Sequence, residues 1–311
     1  MAGKAAKPCY RRLERQTAER EDLYARVPPP GRRIVKNVDR PPQNDGAPSD
    51  AEIRAAVGAC HNGRAGGGSK MRAEDLKDWL CGVESEEEEG EGFAGQGDTW
   101  RMLVALVRNI WETGEIPRQM LWTIMVLIPK GSSGDFRGIG LLEVIWKVVE
   151  KVIDARLSSS IDLHDVLHGF REGRGCRTGI MEAKLAQQLA YREQRPLYGI
   201  FLDLRKAYDA MDRGRCMGIL RDCGVGDKTL RLIGRFWRES EMVCRASGYY
   251  GRRFRAHRGV VQGGPLSPTI FNLMVDAIVR EWARVLQADH GSLPFQMDYL
   301  QCKYRVSIVV R

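Results

Sequence analysis

The chain has 311 residues, 43% of them hydrophobic and 29% charged, with a formal net charge of +9 and a pI near 9.2. That is enough apolar material for one large or two ordinary domains. No apolar run approaches the roughly 20 residues that cross a bilayer, and the basic N-terminus lacks the apolar stretch of a secretory leader. The expectation is therefore a non-membrane protein, whose charge favours a polyanionic partner.

Residues 1–45 are rich in Arg, Lys and Pro and read as a disordered basic arm, with a short charged helix possible over 11–24. Ser49 followed by Glu52 predicts a capped helix with Ile53, Ala56 and Val57 on one face. A second short helix is expected over 72–80. The acidic run 84–91 is expected to be an exposed loop. Leu103, Val104, Leu106, Val107 and Ile110 recur at helical spacing. Residues 46–120 thus read as a helical extension.

Residues 121–195 form the next region. The apolar run 122–128 predicts a buried strand, and 131–140 a loop that follows Lys130 and carries Asp135 and Arg137. Residues 141–157 predict a helix whose buried stripe includes Val148, Val149, Val152 and Ile153, with Lys147, Glu150 and Lys151 outside it. A glycine- and arginine-rich loop follows, Gly-Phe-Arg-Glu-Gly-Arg-Gly-Cys-Arg over 169–177, and then a helix over 178–193.

The last region, 196–311, opens with a strand over 197–204, then a helix ending at Gly224, a helix over 227–237, and a hairpin pairing 242–246 with 252–256. Ser267 and Pro268 open a further helix, with Ile270, Leu273, Met274, Ala277 and Ile278 as its buried face. Alternation over 300–310 gives a last strand. The eight cysteines include no Cys-x-x-Cys pair, so they read as reduced thiols of an intracellular protein, in nucleus or cytoplasm.

Chemistry concentrates in two segments. Tyr-Gly-Ile-Phe-Leu-Asp-Leu-Arg-Lys-Ala-Tyr-Asp, residues 198–209, sets Asp203 at the end of an apolar run. A carboxylate there needs a cation, a donor or a metal. Taken alone, it serves equally as a cap for the next helix. Tyr208, taken alone, is equally a core aromatic. Gly-Val-Val-Gln-Gly-Gly-Pro-Leu-Ser-Pro, residues 259–268, is a turn feeding a helix, whose Gly263 and Gly264 permit close backbone approach to a flat ligand.

In this order and at this separation, the two segments resemble the first two palm motifs of reverse transcriptases of the non-LTR retrotransposon and group II intron type. Ile-Pro-Lys with Asp-Phe-Arg-Gly-Ile resembles the fingers motif, and the 169–177 loop resembles the template-contacting segment. The resemblance implies a mixed α/β (α+β) fold: fingers over 121–195 and a partial palm over 196–311, with helices packed on a mainly antiparallel sheet. It implies that Asp203 binds Mg2+ (or Mn2+). Lys130, Arg137, Lys206, Ala207, Tyr208 and Gln262 would hold the deoxynucleoside triphosphate, with Tyr208 excluding a 2′-hydroxyl. Arg171, Arg174, Arg177, Gly263 and Gly264 would meet the RNA template and DNA primer.

Two features depart from the pattern near these motifs: Gly264 stands where aspartate is frequent, and Gly138 where proline is usual. The third palm motif, an aromatic residue followed at one remove by two aspartates, is absent; Gln-Met-Asp-Tyr at 296–299 resembles it only faintly. The expectation is a C-terminally truncated copy without a thumb, inactive as it stands. The alternative is a non-catalytic remnant that binds RNA or DNA, or has no function.

Overall fold

The structure is a computed structural model that describes residues 43–89, 96–130, 135–194, 196–197, 204, 206–246 and 248–290. It is a mixed α/β fold. Among the described residues three helices come first: α1 (Asp50–Gly58), α2 (Ala73–Glu89) and α3 (Gln96–Thr113). Strands β1 (Trp122–Lys130) and β2 (Asp135–Leu141) follow, then α4 (Val144–Ser160) and α5 (Cys176–Arg192). The short α6 (Ala207–Ala210) leads to α7 (Arg213–Asp222) and α8 (Asp227–Glu239). Strands β3 (Glu241–Ala246) and β4 (Tyr249–Phe254) and the long α9 (Ser267–His290) complete the order. No helix among the described residues is long and apolar enough to cross a membrane.

The sheet has the order β2-β1-β3-β4. Its two outer pairs are antiparallel and its central pair, β1 with β3, is parallel. A parallel pair needs a long crossover, and residues 131–240 supply it. The core lies among the helices, where Trp146 stacks on Phe236 with ring centroids 4.4 Å apart. Trp111, Ile110, Ile153, Leu157, Leu220 and Leu232 are fully buried around them.

The capping box at α1 is present: Ser49 Oγ accepts from the Glu52 amide at 3.2 Å, and Glu52 Oε2 accepts from the Ser49 amide at 2.8 Å. Gly224 takes the left-handed conformation (φ +79°) that terminates α7. Several boundaries differ from expectation: β4 spans Tyr249–Phe254 rather than 252–256, and the expected single helix ending at Gly224 is broken into α6 and α7 at Met211 and Asp212. The acidic run continues α2 as far as Glu89, because Glu is a good helix former once a helix is nucleated. The expected 131–140 loop is strand from Asp135 onward, with Gly138 opposite Leu127. A Cβ at Gly138 would sit 2.7 Å from Met125 Sδ, so glycine here admits a neighbouring side chain within the strand pair.

The first described residues act as a strap. Asp45, from the expected arm, accepts from the Lys228 amide at 2.7 Å and from the Thr229 amide and hydroxyl, each at 2.9 Å. It caps α8 from far away in the chain, where the formal N-cap is Gly226 and supplies no side chain. Trp111 Nε1 donates to the Asp45 carbonyl at 3.1 Å. Arg156, buried on α4, donates to the Asn44 and Gly46 carbonyls at 3.0 and 2.8 Å and lies over the Trp111 ring.

Candidate active site

The Gln262 turn is fastened to the edge strand β2. The Gly140 amide donates to the Gln262 carbonyl at 2.7 Å. The approach is tight on both sides. A Cβ at Gly140 would lie 2.3 Å from Val261 Cγ1 and 3.0 Å from Thr123 Cγ2. One at Gly263, where φ is +118°, would lie 2.5 Å from the Gly140 carbonyl oxygen. At Gly264 it would meet Glu150 Oε2 at 2.9 Å. Packing within the protein therefore accounts for both turn glycines without a flat ligand. Ser267, expected as a cap, opens α9 and is buried, with its hydroxyl donating to the Val261 carbonyl at 2.7 Å.

Arg137 is exposed on β2, three residues and about 10 Å of strand from Gly140. Lys130 ends β1 opposite Asp135 in the register; its side chain lies outside the described residues.

The same segment holds the Tyr208 turn. The Val260 amide donates to the Tyr208 carbonyl at 3.0 Å, and the Gly259 amide to the Met211 carbonyl at 2.8 Å. Gly259 has φ +76°, and a Cβ there would lie 2.8 Å from the Tyr208 carbonyl and the Asp209 Cα. Lys206 begins the turn in the left-handed conformation, φ +53°, and is exposed, while Ala207 is half-buried. The Tyr208 ring stacks on Phe271 of α9, with centroids 5.3 Å apart and planes at 12°. Phe170 meets it edge-on at 6.3 Å. Burial in this aromatic cluster pushes the Tyr208 hydroxyl up to about 12.

The Phe170 loop is tied down in turn. Asn272 Nδ2 donates to the Gly169 carbonyl at 2.8 Å. Arg171 Nη1 donates to the His164 and Leu167 carbonyls at 3.0 and 3.2 Å. Arg174 pairs with Asp165, Nη2 to Oδ1 at 2.6 Å. Two of the three arginines expected at phosphate thus hold their own loop, while Arg177 is exposed on the first turn of α5. Thr178 supports that helix start by accepting from the Gly175 amide at 2.9 Å.

Two residues behind the site carry no sequence signal that marks them. Arg213 donates to the Gly259 carbonyl at 2.9 Å and to the Trp237 and Ala256 carbonyls. It clamps the segment that carries Gly259, and burial brings its pKa down to about 10. Glu150 was expected outside the α4 stripe but is fully buried. Helices and the Gln262 turn enclose α4 on several sides, so its nominally polar face is covered. Trp146 Nε1 donates to Glu150 Oε1 at 2.9 Å, while Oε2 makes no well-formed hydrogen bond. Burial pushes this carboxyl up to about 7. On α9, Ile278 is exposed rather than buried, and Phe271, Asn272, Val275 and Asp276 take the inner face.

Asp203 and residues 198–203 of the expected 197–204 strand fall outside the described residues, as do 296–299, the 300–310 strand and the 11–24 helix. Among the described residues, no three His, Cys, Asp or Glu side chains come together to hold a metal ion. The described residues do not by themselves fit one.

Four sequence-distant motifs thus meet through β2, the Gly259–Gln262 segment, Tyr208 and Phe170. The family model described as reverse transcriptase (RNA-dependent DNA polymerase) matches residues 128–297, more than half of the chain and all four motifs. The chain belongs to the reverse transcriptase family.

Its reverse transcriptase domain is of the non-LTR retrotransposon type. It is 26% identical over 195 residues to the Pol polyprotein of type-2 retrotransposable element R2DM of Drosophila melanogaster, covering 61% of this chain and 18% of that one. It is 27% identical over 176 residues to the Pol polyprotein of type-1 retrotransposable element R2 of Popillia japonica, covering 53% and 24%. The matched part is thus a quarter or less of each relative's length. Among solved structures, a chain of a partial Cas6-RT-Cas1--Cas2 complex aligns over 68% of this chain at 14% identity and a TM-score of 0.33, too low to carry an argument about this one.

Proposed function

We propose that this reverse transcriptase domain binds a deoxynucleoside triphosphate beside the β2 edge and adds it to a DNA primer on an RNA template. The observation that carries the reading is the pair of backbone bonds from one short segment: Val260 to Tyr208 and Gln262 to Gly140. They fix the aromatic gate, the glutamine and the cationic hairpin relative to one another, which is the positioning that transfer to a nucleotide demands. In this reading β1 and β2 belong to the fingers and α6 to α9 to the palm. Arg137 and Lys130 meet the triphosphate, Lys206 and Ala207 present backbone toward it, and Tyr208 packs beneath the sugar. Gln262 lies against the nucleotide, with Gly263 and Gly264 letting its turn sit close to β2. Arg177, with Arg171 and Arg174 shaping its loop, faces the template. Asp203 would hold Mg2+ (or Mn2+), which neutralises phosphate charge and activates the primer hydroxyl when bound.

One observation favours binding without turnover for this polypeptide: its 311 residues contain no two adjacent aspartates. The reading is tested by titrating a fluorescent deoxynucleoside triphosphate, and its ribonucleotide counterpart, into the protein with primer-template and magnesium. The expected result is preference for the deoxynucleotide, weakened binding in Arg137→Ala, and lost sugar preference in Tyr208→Ala but not in Tyr208→Phe. Equal binding of both sugars by the unaltered protein would overturn it.

A further inference from the structure

Strand β4 sits at the sheet edge opposite β2, three strand spacings or roughly 14 Å away. All five residues from Tyr249 to Arg253 are exposed, with Tyr249 at 61% and Tyr250 at 59%. An edge strand resting one face on a core alternates buried and exposed positions. Here no position from Tyr249 to Arg253 is buried, so both faces of β4 are open, and the β3–β4 register shifts between Val243 and Arg245.

The charge on this hairpin is one-sided. Residues 241–258 hold Arg245, Arg252, Arg253, Arg255 and Arg258 against the single acid Glu241. Glu241 lies 3.9 Å from Arg253 and 3.3 Å from Arg255, so one carboxylate serves two guanidiniums. Arg253 also lies flat enough to place its guanidinium carbon 3.7 Å from the centroid of the Trp122 ring, itself 38% exposed. Exposed aromatic rings on an edge strand invite strand pairing, which like charge opposes. Rings and guanidiniums side by side instead match a ligand with planar faces and regularly spaced anions.

We propose that the β3–β4 hairpin binds single-stranded nucleic acid, with bases stacked on Tyr249 and Tyr250 and phosphates on Arg252 and Arg255. The surface stands apart from the nucleotide site and does not depend on the reading of that site. It gives the protein a second hold on a strand, on the side of the sheet away from Gln262. Neither a tyrosine ring nor a guanidinium distinguishes ribose from deoxyribose, so RNA and DNA strands of one sequence bind alike.

The experiment is fluorescence anisotropy of labelled 12-nucleotide single strands, one RNA and one DNA, with the unaltered protein and four variants at several salt concentrations. Tyr249→Ala/Tyr250→Ala is expected to weaken binding at least tenfold with the salt slope kept, and Tyr249→Phe/Tyr250→Phe to retain it. Arg252→Ala/Arg255→Ala is expected to reduce the magnitude of the salt slope by about 1.4, the value for two phosphates of a single strand. Arg137→Ala, at an exposed position of β2 on the opposite sheet edge and expected to weaken deoxynucleotide binding, leaves strand affinity in place, so the two sites fail separately. Unaltered affinity in the tyrosine variant would overturn the proposal. So would self-association of the protein through this edge without strand binding, which would assign the hairpin to a second copy of the chain.

Discussion

Arg156 and Glu52, on helices α4 and α1, form a two-pronged ion pair of 2.6 and 2.9 Å across 104 residues of sequence. The guanidinium is buried, and the pair joins the capping box of α1 to the strap that precedes it. The Arg156 guanidinium holds the Glu52 carboxyl down at about 2. A carboxyl lowered on folding adds stability that is complete above its unfolded value near 4.5 and is lost as pH falls through about 2. Acid titration followed by circular dichroism should show this component in the unaltered protein and lose it in Glu52→Gln. At pH 7, Glu52→Gln should cost about 2–3 kcal/mol in urea unfolding, under the ~3–5 kcal/mol of a fully buried pair because Glu52 is partly exposed.

Glu150 should act with the opposite sign. Its carboxyl is raised by burial, so the folded state holds the proton more tightly than the unfolded state. Its contribution is complete below about 4.5 and lost as pH rises through about 7. Glu150→Gln keeps an oxygen to accept from Trp146 and carries no charge. Thermal midpoints measured from pH 5 to 8 should fall more steeply for the unaltered protein than for the variant. Parallel curves would contradict the burial of an ionisable group there.

The contact between Gly140 and Val261 predicts a paired effect. Gly140→Ala places a methyl against Val261 Cγ1 and should destabilise by about 1–3 kcal/mol, as overpacking does. Val261→Ala removes that atom, so the double variant should recover part of the loss. The cycle is read from chemical denaturation, and simple additivity would show that the turn shifts freely off β2.

Primer extension is the harshest test of the site. Two-metal transfer needs several carboxylates around ions about 3.5–4 Å apart, and the sequence offers Asp203 without an adjacent aspartate pair. The 311-residue polypeptide, incubated with RNA template, DNA primer, deoxynucleotides and magnesium, should extend no primer above background. Extension that vanishes in Asp203→Ala would refute this. Extension that also vanishes in Asp298→Ala would make Asp298 a second ligand.

Much of this was readable from residue order. The box at Ser49 and Glu52, the terminator Gly224 and the turns around Tyr208 and Gln262 are local signals, each decided within a few residues. What escaped the sequence depends on distant partners. Glu150 reads as a surface residue until the Gln262 turn closes over it. Gly263 and Gly264 read as freedom to meet a flat ligand, whereas Gly264 makes room for the Glu150 side chain and Gly263 for the Gly140 carbonyl. Arg171 and Arg174 read as phosphate contacts because arginine is ambiguous until its carbonyl and carboxylate partners are known. Arg213 gives no hint at all, since the three carbonyls that it joins lie 24 to 46 residues away.

The strap also determines where this domain can be cut. A fragment starting at Asp50 would keep every described helix and strand, and on a diagram of those elements it would look whole. It would nevertheless leave the Lys228 and Thr229 amides, the Trp111 indole and the Arg108 and Arg156 guanidiniums without the acceptors that residues 45–48, with Asn44, now supply. Those donors lie on α3, α4 and α8, so the loss falls on the centre of the helical core. The smallest unit that folds well therefore begins before α1, in a stretch, 43–49, with no regular structure of its own.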